Sequence, residues 1–149
     1  MRIVIAGAHG QVARRLGRLL SARGDTVLGI VRNPAHTDDL RADGVEPVVL
    51  DLEQAGVEQV AEVVSGADAV VFAAGAGPGS GEARKHTVDK GAALLLADAA
   101  ERAGVRRYVM VSALAADDFD PDSDEVFQVY ADPAGHPFCL VFDVPSRTS

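Results

Sequence analysis

A chain of 149 residues with 48% hydrophobic side chains holds enough apolar surface for the core of one domain, and its net charge of −8 is the wrong sign for nucleic acid or an anionic membrane. Cys139 is the only cysteine, which rules out an internal disulfide and suits a reducing compartment. Aromatics are few and no apolar run approaches a membrane span, so the expectation is a soluble, cytoplasmic protein with a core of Val, Leu and Ala.

The chain enters a strand at once: Met1 to Ala6 read MRIVIA. Gly7-Ala8-His9-Gly10-Gln11-Val12-Ala13 follow, and then RRLGRLLSARG, with Val12, Leu16, Leu19 and Leu20 at helical spacing. Strand, glycine turn and helix without a spare residue is the pattern of a nucleotide-phosphate cradle. Gly7 would make the tight turn, Gly10 would let the backbone approach a diphosphate, and Ala13 would let helix and strand pack closely. The N–H groups opening the helix then face the anion, helped by the helix dipole. A glycine turn that merely connects the two elements is the other reading.

Thr26 to Val31 form a second strand, ended by Arg32-Asn33-Pro34. That position faces the adenosine ribose in a dinucleotide site. An acid there suits the 2′-hydroxyl of NAD, an arginine the 2′-phosphate of NADP, so Arg32 favours NADP over NAD unless it is a plain surface residue. Thr37 to Ala42 predict a short helix, and Glu46 to Leu50 a third strand. Asp51-Leu52 then lie where an adenine would sit, Asp51 either accepting from the base or capping the next helix. Val57 to Val64 predict a helix and Asp68 to Ala74 a fourth, fully buried strand. The glycine-rich run 75–81 is either a closing loop over a ligand or an ordinary connection. Thr87 is placed to cap a helix running to Ala103, and Arg107 to Ser112 make a fifth strand. Strands alternating with helices mean a parallel sheet with right-handed crossovers.

GAHGQVA, VRNP, LDLE, VFAAGAG and AERAGVRRYVMVS stand in this order. As a set they resemble the atypical, NmrA-like branch of the short-chain dehydrogenase/reductases, the NAD(P)H-binding or epimerase/dehydratase-like proteins, over residues 1–130. The resemblance implies a doubly wound, Rossmann-like α/β fold with strand order 3-2-1-4-5. It implies NADP or NAD contacts at Gly7, His9, Gly10, Gln11, Val12, Arg32, Asp51, Leu52, Ala74 and Gly75. It implies Ser112 as the serine that polarises a small carbonyl substrate, and Tyr130 as the start of a Tyr-x-x-x-Lys pair. Position 134 is alanine, however, and Pro133 disfavours helix just before it. A Tyr-Lys pair one helical turn apart lowers the phenol pKa, and Ala134 cannot do this. Three functions follow: an NADP-preferring protein of oxidoreductase lineage with weak or lost carbonyl reductase activity, a non-catalytic NADPH/NADP sensor, or a truncated or fused product without activity.

The stretch 131–141 (ADPAGHPFCLV) resembles the closing segment of glyoxalase-like domains, so residues 131–149 are expected to be a divergent tail rather than a second domain. Asp132 to Gly135 predict a turn and Phe138 to Val144 a strand filling a sixth place beside the fifth. The acidic run 120–125 lacks the glycine and the closing glutamate of a calcium loop, and reads as a cap for a helix over 124–130. The four histidines show no ligand spacing; His9 lies in the phosphate turn, the rest are expected on the surface. No metal site is expected. Any apolar surface left uncovered would suit a homodimer.

Overall fold

The computed structural model describes residues 1–74, 82–111, 127–131 and 137–141, with 82–89 and the last two stretches as backbone. β1 (Arg2–Ala6), β2 (Thr26–Val31), β3 (Glu46–Val49), β4 (Ala69–Phe72) and β5 (Tyr108–Met110) form one parallel sheet in the order β3-β2-β1-β4-β5. This is the doubly wound arrangement expected from the alternation of strands and helices. β1 and β2 are buried along nearly their whole length, which is why they read as unbroken apolar runs rather than alternating ones.

Helices α1 (Gln11–Ala22), α2 (Thr37–Ala42), α3 (Val57–Val64) and α4 (Glu82–Arg102) cover both faces. On one face, α3 and α4 bury Val60, Val64, Leu96 and Ala99 against Val4, Leu28, Ile30, Val70 and Phe72. On the other, α1 and α2 bury Ala13 and Leu40 against Ile3, Ile5, Val27, Val31 and Val71. α4 starts at Glu82 and so runs through Thr87, which does not cap it. No breaker separates 82 from 87, and Glu, Ala, Arg and Lys are strong helix formers. Behind α4, the Tyr108 hydroxyl donates to the Ala93 carbonyl at 2.9 Å and ties the helix to β5. Burial pushes that phenol's pKa above its ordinary range.

Two expectations for the C-terminal part are corrected. The residues expected to end a helix at 130 form a strand instead, β6 (Phe127–Ala131). β7 (Pro137–Val141) does form a strand, but it pairs antiparallel with β6 in a separate two-stranded sheet and is not the sixth strand of the parallel sheet. Phe, Val and Tyr favour strand over helix, and along the chain β6 is a nearer partner for β7 than β5 is. Among the described residues no helix is long and apolar enough to cross a membrane.

Candidate functional site

The sheet order places β1 beside β4, yet the chain reaches β4 only after running out through β2 and β3. Open α/β sheets form their ligand crevice at such a reversal, beyond the carboxyl ends of the strands. Gly7 stands there with φ of +74°, and a Cβ on it would lie 2.5 Å from the Ala74 amide nitrogen. The turn is held from both sides: the Gly7 and Ala8 N–H groups donate to the Ile30 carbonyl at 3.1 Å, and the Ala73 N–H donates to Ala6 at 2.9 Å. Glycine is thus required at Gly7 twice, by conformation and by contact.

α1 begins one turn later. The Arg14 N–H is the first to find a helical acceptor, the Gly10 carbonyl at 2.8 Å. The amides of Gln11, Val12 and Ala13 precede it and have no such acceptor. Among the described residues no side chain caps this end, and its first turn carries no acidic residue. Gln11 and Val12 are exposed at the crevice while Ala13 is buried beneath them. Gly10 differs from Gly7: its φ of −62° and ψ of 152° suit any residue, and a Cβ there would meet nothing nearer than 3.4 Å. The fold does not need glycine at this place. A ligand lying against the backbone would, so the turn fits the diphosphate of a dinucleotide.

The other expected contacts lie around this centre. Ala74 packs on Gly7, and the exposed Arg32 extends from the end of β2 to Glu53, 3.5 Å away in the turn after β3. The Asp51 carboxylate accepts the Glu53 N–H at 2.9 Å, so it caps its own turn and not α3, which starts at Val57. Leu52 packs against the α3–α4 core. Gly75 and Ser112 lie outside the described residues. Tyr130 lies in β6 opposite Phe138, on a strand backbone where a one-turn Tyr-x-x-x-Lys pair cannot form. Sequence reasoning missed a cluster over the phosphate turn. His9 hydrogen-bonds Asp39 at 2.9 Å and stacks on His36, which is half-buried and not a free surface residue. Arg14 bonds Asp43 at 2.6 Å and Arg18 pairs with the same carboxylate at 3.1 Å.

The family model described as NAD(P)H-binding matches residues 7–136. The chain belongs to the NAD(P)H-binding family. It is an atypical, epimerase/dehydratase-like short-chain dehydrogenase/reductase. This NAD(P)H-binding protein is 39% identical to UPF0659 protein YMR090W of Saccharomyces cerevisiae, over 80% of this chain and 54% of that one. It is 36% identical to the uncharacterized sugar epimerase YhfK of Bacillus subtilis, over 78% and 54%. A solved candidate NAD-dependent epimerase/dehydratase from Bacillus halodurans shares the fold with a TM-score of 0.68 at 36% identity, over 76% of this chain and 52% of that one. The chain spans about half the length of the curated relatives it matches.

In this NAD(P)H-binding protein the charged cluster braces α1 against α2. The hydrogen bond from Arg14 holds the Asp43 carboxyl below its ordinary value, and the bond to His9, with Arg14 nearby, does the same for Asp39. Lowered carboxylate values mean stability that is fully present above the ordinary value of 3.8 and lost as pH falls through the folded-state values. Urea midpoints are expected to fall as pH drops below 4. The fall should be shallower in Asp43→Asn, which starts from a lower midpoint.

Proposed function

We propose that the chain binds NADP in preference to NAD, with the diphosphate on the opening amides of α1 and the 2′-phosphate at Arg32. One observation carries this reading: an uncapped helix start behind a glycine that the fold itself does not require, at the reversal point of the sheet. Gln11 and Val12 would donate their N–H groups to the diphosphate, and Gly10 would leave room for it. Gly7 and Ala74 would fix the turn. Arg32 would exchange its exposed ion pair with Glu53 for a charge-assisted, bidentate contact to phosphate. Asp51 and Leu52 would border the adenine. When bound, the nicotinamide supplies or accepts hydride; a small carbonyl compound is the matching substrate class, with Ser112 as the donor to its oxygen.

Calorimetric titration of the protein and of Arg32→Ala with both nucleotides tests the preference. The variant is expected to weaken NADP by about 1–3 kcal/mol and to leave NAD little changed. Equal losses for both would remove Arg32 from the 2′-phosphate.

A second reading is favoured by Tyr130 on a strand and by Ala134 in place of the lysine. In it the protein binds NADPH but turns over slowly or not at all, and so senses the NADPH/NADP ratio. A positioned general acid typically contributes about 10²–10⁴-fold, and Tyr130 has no supported place for that role. NADPH binding without NADPH oxidation against a carbonyl panel selects the sensor. Oxidation at an ordinary enzymatic rate selects the reductase.

A further inference from the structure

The imidazole rings of His9 and His36 lie face to face, centroids 3.6 Å apart and planes 6° from parallel. His9 belongs to the β1–α1 turn, between the two glycines of the phosphate cradle. His36 closes a 3-10 turn, Pro34–His36, that starts just beyond Arg32. That turn is built from its own residues. The Asn33 side chain accepts the Ala35 N–H at 3.0 Å, the His36 N–H donates to the Asn33 carbonyl at 3.1 Å, and the Thr37 hydroxyl donates to the Pro34 carbonyl at 2.8 Å. The stack therefore joins the loop read as holding the diphosphate to the loop read as holding the 2′-phosphate.

The charges around the pair cancel in described contacts. Arg14 and Arg18 of α1 face Asp43 at the end of α2, and Arg14 also lies 3.7 Å from Asp39. Arg41 pairs with Asp38 on α2, and Arg32 at the end of β2 pairs with Glu53 after β3. Asp39 is the carboxylate in direct contact with the stack, through His9. Beyond Arg32, which would leave Glu53 for the 2′-phosphate, the group that can add positive charge beside this loop is the imidazole pair, since histidine is the side chain whose charge changes between pH 5 and 8. A phosphate beside His36 favours a protonated imidazole there; the ribose hydroxyl of NAD does not.

We infer that His36, stacked on His9, is a specificity-determining residue for the 2′-phosphate, and that the pair takes up a proton when NADP binds. This rests on the dinucleotide reading above. The test is calorimetry with NADP and with NAD at pH 8, in two buffers of different ionisation enthalpy, followed by a series from pH 7 to 8.5. The NADP heat is expected to depend on the buffer and the NAD heat is not. NADP affinity should weaken with rising pH, by at most about tenfold per unit for one linked proton, while NAD affinity stays level. His36→Gln should abolish the buffer dependence and the NADP slope; its NAD affinity reports whether the site remains formed. Buffer-independent NADP heats, a slope shared by both nucleotides, or a slope that survives in His36→Gln would overturn the role of the pair. Failure of the wild-type protein to bind either nucleotide would instead overturn the dinucleotide reading, and this inference with it.

Discussion

Gly7→Val is expected to cost about 2–6 kcal/mol, a large share of the about 5–15 kcal/mol that typically holds a domain folded. Two penalties add. The backbone at Gly7 has φ of +74°, where a β-branched residue is an outlier. A Cβ there also enters the space of the Ala74 backbone at the end of β4, which cannot move without breaking the Ala73 to Ala6 hydrogen bond. Gly24 supplies the control. Its φ of +93° is just as unusual, but a Cβ there meets nothing within 4 Å. Gly24→Ala should therefore cost only the conformational part, about 1 kcal/mol. Urea unfolding of the two variants separates the terms. Equal losses at both positions would show that the Gly7–Ala74 contact does not matter.

Gly10→Val is expected to do the opposite: to fold and fail to bind. The backbone at Gly10 already has β-region angles, and the nearest atom to a Cβ is the Gly7 carbonyl oxygen at 3.4 Å. The change removes a tolerable helix N-cap and should cost about 1 kcal/mol of stability. The new side chain would stand between the diphosphate and the amides of Gln11 and Val12. Two or more charge-assisted hydrogen bonds would be lost, worth about 3 kcal/mol or more, so both nucleotides should weaken by about a hundredfold or more. The loss should be the same for NADP and NAD, unlike that of Arg32→Ala. Calorimetry on a variant whose unfolding midpoint lies close to that of the natural protein checks this.

These positions were legible because the signals are local. Strands buried on both faces give continuous Val and Ile runs, and Thr26–Val31, Thr37–Ala42 and Val57–Val64 fall where the sequence places them. The C-terminal part misled for a physical reason. The resemblance put Tyr130 on a helix, while Phe127, Val129 and Tyr130 and the apolar run over 137–141 form an antiparallel pair of strands. Local strand preference and a near partner prevailed. The His9–His36 stack was not legible at all. It joins two turns distant in sequence, which the parallel pairing of β1 with β2 brings to the same end of the sheet, and spacing along the chain does not show which side chains meet there. Asp51 was half legible: its capping role was anticipated, but for α3 rather than for its own turn.

The most direct test of the central claim is a two-dimensional amide NMR titration of the natural protein with NADP and with inorganic pyrophosphate. If the opening amides of α1 hold the diphosphate, the Gln11 and Val12 resonances should move most with both ligands, and residues near Arg32 should move with NADP alone. Saturable binding that leaves Gln11 and Val12 unshifted, or no binding at all, would contradict it.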